Sequence, residues 1–170
     1  MNTRRPSKPA LIAAVVGAAL AVGAWVALAP AGEAAPAVHY VLLDGKPADS
    51  SQWHGKVMFV SFWATDCTTC VHEMPQVVQT FQKYKGRGFD TLAVAMSYDP
   101  PAYVSNFAAS RALPFGIAID NMGTLAKAFG QVRMTPTSFL IDKNGRIVKR
   151  FVGEPDFGAL QAQIEQLLAA

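Results

Sequence analysis

The stretch WATDCTTC, residues 63–70, holds both cysteines of the chain, Cys67 and Cys70. Two thiols at this spacing can form a structural staple, supply half of a metal site, or work as a reactive pair. Structural zinc is held by four ligands as a rule. No second ligand pair accompanies these cysteines, because His39, His54 and His72 are the only histidines and show no paired spacing. A structural disulfide closing so short a loop would remove little unfolded-state entropy, since the gain grows with loop length. A redox pair explains the placement better. The cysteines follow a run that reads as a buried strand and open a segment with helical spacing. At a helix N-terminus, unpaired N–H groups and the macrodipole favour an anion, which lowers the pKa of Cys67. One turn on, Cys70 is placed to attack any mixed disulfide that Cys67 forms. Glu73 repeats the step, and at about 100° per residue the three fall within roughly a third of the helix circumference. A carboxylate there can take up the Cys70 proton or, when ionised, raise the thiol pKa. It can equally be a first-turn acid that complements the helix dipole. His72 reads as a solvated helix residue pointing away from the thiols.

The elements that must position this pair follow from hydrophobic pattern. VMFVSF, residues 57–62, is the short continuous apolar run of a strand buried on both faces. From Thr68 to Tyr84, Val71, Met74, Val77, Val78, Phe81 and Tyr84 fall at helical spacing, with Pro75 expected to kink the helix. Strands are expected at Phe89–Met96, Phe115–Ile119 and Thr137–Ile141. Asp99-Pro100-Pro101 reads as an N-cap followed by first-turn proline, opening a helix towards Arg111. A short helix is expected at Gly123–Phe129. Asn144-Gly145 joins the last of those strands to Ile147–Val152 as a hairpin, and Asp156 caps a final amphipathic helix. Tyr40–Leu43 reads as an added strand turning at Asp44-Gly45. The order implies an α/β layered domain with a mixed sheet flanked by helices.

The first thirty residues read as targeting sequence. Arg4, Arg5 and Lys8 precede twenty positions, Ala10 to Ala29, that carry no charge. This is the pattern of a signal peptide or a signal anchor. Its length favours a retained span, whereas Ala27-Leu28-Ala29 at its end leaves cleavage open. The positive-inside rule puts everything after Pro30 across the membrane. Residues 31–37 read as a linker and 38–170 as one domain. Three of the fifteen basic residues lie before Ala10 and all twelve acidic ones from Glu33 onward, so the exported part is balanced at twelve against twelve. That balance offers no case for nucleic-acid binding.

FVSFWATDCTTCVHEMP resembles the active-site segment of the thioredoxin fold, and within it the membrane-anchored TlpA/ResA/CcmG-type thiol-disulfide oxidoreductases. The preceding LLDGKPADSSQWHGKVMFVSFWA is similar to the family's N-terminal extension and first core strand, and RMTPTSFLIDKNGRIV to its cis-proline strand and hairpin. The resemblance implies a thioredoxin-like fold, Cys67 and Cys70 as a redox-active catalytic disulfide, Glu73 as a functional glutamate, and Pro136 as a cis-proline that with Thr135 binds substrate. It implies no metal and no organic cofactor. The implied partners are client proteins with disulfides, such as apocytochrome c or oxidase-assembly factors. A transmembrane electron donor of the CcdA/DsbD type, and the membrane through the N-terminal segment, complete the set. Four residues depart from the pattern. Ser61 stands where thioredoxin has a buried aspartate, Asp66 where many relatives have an uncharged residue, and Thr68-Thr69 lacks the proline or histidine of several relatives. The expected activity is an extracytoplasmic protein-disulfide reductase on the periplasmic side of the membrane. The alternatives are a copper-binding chaperone of the same fold, for which no distal histidine lies near Pro136, and a peroxiredoxin-like peroxidase, whose single-cysteine motif is not found.

Overall fold

A run with no exposed face belongs inside a sheet, and Val57–Trp63, buried at all seven positions, lies there. The computed structural model describes residues 32–170, and the expected signal segment lies outside the described residues. In chain order the elements are β1 (Glu33–Ala34), β2 (His39–Val41), β3 (Pro47–Asp49), β4 (Val57–Trp63), α1 (Thr68–Tyr84), β5 (Phe89–Ala95), α2 (Pro101–Ser110), β6 (Gly116–Ile119), α3 (Thr124–Ala128), β7 (Thr137–Ile141), β8 (Arg146–Val152) and α4 (Phe157–Ala169). Six strands form one mixed sheet in the order β1-β8-β7-β4-β5-β6. β4 runs parallel to β5 and antiparallel to β7, and β5 runs parallel to β6. With helices packed on it, this is the α/β thioredoxin-like fold that the sequence leads one to expect.

Alternation along β4 divides the core in two. Phe59 and Trp63 pack with Cys70, Met74, Val77, Phe81 and Tyr84 of α1, Val104 of α2 and Phe157, Leu160 and Ile164 of α4. Met58, Val60 and Phe62 face the other way, onto Leu125 and Ala126 of α3, Phe129 and Trp53. At roughly 25 cal/mol per Å² of apolar surface removed from water, these two layers are the main favourable term holding α1 against the sheet. The helix runs on through Pro75. This proline is exposed, and its missing N–H leaves the Val71 carbonyl without its usual donor.

Short segments flank part of each side of the sheet. Part of the stretch expected as linker, Glu33–Ala34, pairs with Ile147 and Arg146 of β8. The strand expected at Tyr40–Leu43 is His39–Val41, paired with Pro47–Asp49 in a small second sheet. Its turn lays Leu42 against Ala118 of β6, with Leu43 N–H donating to the Ile117 carbonyl at 2.8 Å. This contact occupies part of the outer edge of β6. The Asn144-Gly145 hairpin forms as expected: Asp142 Oδ1 accepts from Asn144 N–H at 2.9 Å and Arg146 N–H at 2.8 Å. Gly145 takes φ +74°, a conformation open to glycine at little cost.

One expected cap is wrong. Asp99 does not cap α2, which starts behind Pro100 with no side-chain cap bond. The reason is competition. Asp99 is buried and its carboxylate is turned instead onto the loop that follows β4.

Candidate active site

The parallel strands β4, β5 and β6 end on one rim, and the loops leaving them carry Cys67, Tyr98 and Met122. Here β4 breaks into Ala64-Thr65-Asp66 and Cys67 becomes the N-cap of α1, with φ −83° and ψ 102°. Cys67 and Cys70 form a disulfide across the first turn, their Cα atoms 5.2 Å apart. Cys70 N–H donates to Cys67 Sγ at 3.2 Å. The same N–H points at the position a Cys67 thiolate would occupy, so the helix start stabilises that anion directly. The two sulfurs differ in access. Cys67 is half-buried, whereas Cys70 is fully buried behind it.

One turn deeper, Glu73 is 1% exposed and its Oε2 has no hydrogen-bond partner among the described residues. A carboxyl in such a place is far easier to keep neutral than charged. Burial, reinforced by the negative charge of Glu154, pushes its pKa up to about 8. A first-turn acid complementing the dipole would sit at the surface and remain ionised, so that reading of Glu73 does not fit. Ser61, on the face of β4 that looks towards α1, is also buried and is paired in register with Ser138 of β7. Glu73 is therefore the carboxyl nearest the buried sulfur in sequence and layer, with no aspartate beneath it at residue 61.

His72 is exposed, as expected, but is not merely solvated. Its Nδ1 lies 3.2 Å from Glu154 Oε2. Gln76 Nε2 donates to Glu154 Oε1 at 3.4 Å. Two residues of α1, one on each side of Glu73 in the chain, thus hold Glu154, from the turn between β8 and α4, above the helix. Asp66 is exposed.

The Thr135–Pro136 peptide bond is cis, the geometry the resemblance implies. Thr137 Oγ1 donates to the Met134 carbonyl at 2.8 Å, and the Pro136 carbonyl accepts from Gly153 N–H at 2.8 Å. Thr135 is left with no main-chain hydrogen bond to the described residues. Its side-chain Oγ1 lies 3.3 Å from the hydroxyl of Tyr98. Tyr98, Met122 and Met134 are exposed apolar side chains on loops around this rim. Of the residues the sequence singles out, Cys67, Cys70 and Glu73 lie along the start of α1 and Thr135 and Pro136 precede β7; Tyr98, Asp99 and Glu154, which it does not single out for the site, contact Thr135, Thr65 and His72 respectively. Among the described residues no cluster of three His, Cys, Asp or Glu side chains is arranged to hold a metal.

A mixed sheet with an oxidised C-x-x-C pair at the start of its central helix defines a thioredoxin-fold dithiol enzyme. Comparison with known proteins agrees. The Redoxin family model matches residues 30–168. The chain is 34% identical over 136 residues to the thiol-disulfide oxidoreductase ResA of Bacillus thuringiensis subsp. konkukian, which covers 80% of this chain and 78% of the relative. It is 37% identical over 111 residues to ResA of Geobacillus thermodenitrificans, covering 65% and 63%. Among solved structures, a candidate thioredoxin from Neisseria meningitidis aligns with TM-score 0.76 and 38% identity over 81% of this chain and 91% of its own. A thioredoxin-family thiol:disulfide interchange protein from Chlorobium tepidum aligns with TM-score 0.75 and 28% identity over 82% and 98%. The chain belongs to the Redoxin family and, within it, to the ResA-like thiol-disulfide oxidoreductases. It is a thiol-disulfide oxidoreductase.

Proposed function

We propose that the protein reduces disulfides of client proteins on the extracytoplasmic side of a membrane, with Cys67 as nucleophile, Cys70 as resolving thiol and Glu73 as acid-base group. The observation that carries this reading is the contrast between the accessible Cys67 and the buried Cys70, which has the buried Glu73 carboxyl one turn away. In the reduced enzyme the Cys67 thiolate attacks a client disulfide. A Cys67–client S–S bond forms, the client's own S–S bond breaks, and one client sulfur leaves as thiolate. Ionised Glu73 then takes the Cys70 proton, and the Cys70 thiolate attacks Cys67 Sγ. The Cys67–Cys70 bond forms, the mixed disulfide breaks, and the second client sulfur departs and is protonated. Two electrons have passed to the client, and the enzyme is left as the disulfide seen here. A carboxyl titrating near 8 can both accept and return that proton at neutral pH.

The reducing direction is supported by charge. Oxidising members of this chemistry owe their potential to a stabilised reduced form. Here Asp66 stands beside Cys67, and Glu73, when ionised, stands beside Cys70, so the thiolates gain less. The client would lie along Thr135 and Pro136, where the Thr135 main chain is free to pair with an extended segment and exposed Met134, Tyr98 and Met122 offer apolar contact. The basic-then-apolar N-terminus and the likeness to ResA support export and tethering, or release if the signal is cleaved. Re-reduction would need a transmembrane donor of the CcdA/DsbD type. Apocytochrome c and oxidase-assembly factors are the client classes the resemblance suggests. A Cys70→Ala variant expressed in cells tests the proposal: it is expected to accumulate mixed disulfides with exported proteins through Cys67. Capture of none would remove Cys67 as a nucleophile towards proteins.

A further inference from the structure

We infer that the Tyr98-Asp99 dipeptide, in the loop that follows β5, is a positioning element: Asp99 fixes the nucleophile loop for every disulfide, and Tyr98 ties it to the client-docking loop and so favours protein disulfides. The inference rests on the proposed reading that a client lies along Thr135.

Asp99 is 4% exposed, and both of its oxygens are used on one residue. Thr65 N–H donates to Oδ2 and Thr65 Oγ1–H donates to Oδ1, each at 2.6 Å. A buried carboxylate is costly unless its oxygens are satisfied, and hydrogen bonds to an ionised acceptor are roughly twice as strong as neutral ones. Thr65 lies two residues before Cys67, and between them Cys67 N–H reaches only the Ala64 carbonyl, at 3.3 Å. The loop that carries the nucleophile is therefore anchored chiefly through Asp99.

The neighbouring residue points to the other half of the site. The Tyr98 hydroxyl meets Thr135 Oγ1 at 3.3 Å, although the residue is 56% exposed. Met96 N–H donates to the Trp63 carbonyl at 3.0 Å, and Asp99 N–H to the Met96 carbonyl at 3.0 Å. The dipeptide is thus rooted in the continuation of the β4–β5 ladder. One short, hydrogen-bonded turn sets how far Cys67 stands from Thr135. A client that must place its disulfide on Cys67 while its backbone runs along Thr135 feels that spacing. A small disulfide touching only Cys67 does not.

The test uses the reduced full-length protein with insulin as protein disulfide and hydroxyethyl disulfide as the small one. Wild-type protein is expected to reduce both. If it reduces only the small disulfide, the protein-client reading falls, and this inference with it. Tyr98→Phe removes one neutral hydrogen bond and keeps the ring. It is expected to raise KM for insulin about 3- to 10-fold with kcat held, and to leave exchange with hydroxyethyl disulfide within about twofold. Loss on neither substrate, or equal loss on both, would overturn the role of Tyr98 while the protein-client reading stands. Asp99→Asn is expected to lower kcat on both substrates by about tenfold or more, since it loosens the Cys67 loop itself. Should that variant not fold, Thr65→Val carries the same expectation, with Thr65→Ser restoring the rate. An unchanged kcat in the folded variant would overturn the anchoring role of Asp99.

Discussion

Replacing Glu73 with glutamine separates what its burial does to stability from what its proton does to exchange. In the folded oxidised protein the carboxyl titrates near 8, well above its ordinary value of 4.5. Between those values the folded state holds a proton that the unfolded chain has released. The folded pKa is the raised one, so stability is fully present at low pH and is lost as pH rises towards 8. At about 1.4 kcal/mol per unit, the Glu73 contribution should fall by roughly 4 kcal/mol between pH 5 and pH 8.5. Glutamine keeps the shape and does not titrate. Urea unfolding of the oxidised protein and of Glu73→Gln, in steps across that range, isolates the effect, because the disulfide removes both thiols from the titration and the difference cancels the other groups. The variant should gain on the wild type by that amount as pH rises. In single-turnover exchange the variant should also resolve mixed disulfides about 10²- to 10⁴-fold more slowly, the usual range for a lost general acid-base group. Parallel stability curves for the two proteins would refute the buried-carboxyl argument. A normal resolving rate would refute its use as a base.

Other consequences concern neighbouring groups. Glu154→Gln removes the charge that adds to burial at Glu73, so the midpoint of that pH dependence should move below about 8 without returning to the ordinary value, because burial is the larger cause. An unmoved midpoint would discount the coupling. Asp120 is buried and accepts from Leu125 N–H at 3.0 Å and Ala126 N–H at 2.8 Å. Asp120→Ala leaves these donors at the start of α3 unpaired and should cost about 1–3 kcal/mol in urea unfolding. No loss would mean that the short helix does not depend on the Asp120 carboxylate.

How much of this was legible in the sequence depends on how far apart the partners lie. VMFVSF and the Thr68–Tyr84 spacing announce β4 and α1 because each is a local pattern imposed by the layer it enters. Cys67, Cys70 and Glu73 share one helix, so their common face follows from helix geometry alone. The depth of Glu73 does not, since burial depends on what the rest of the chain packs around α1. Asp99 shows the opposite case. Before two prolines an aspartate has the look of an N-cap, but its carboxylate binds Thr65, 34 residues away. Tyr98 and Thr135 are separated by 37 residues, and His72 and Glu154 by 82. No periodicity encodes such pairs, which arise only when the assembled sheet and helices bring distant loops together. The β3 strand, Pro47–Asp49, is too short and too polar for its pattern to rise above that of a turn.

The central claim is that Cys67 and Cys70 are a dithiol that gives electrons to clients. Equilibrating the protein in glutathione buffers of graded potential, and counting alkylated thiols by mass, measures it most directly. The account predicts one two-electron transition with a midpoint more negative than about −200 mV, at the reducing side of the range for such pairs. A midpoint near about −120 mV, the strongly oxidising end, would contradict it.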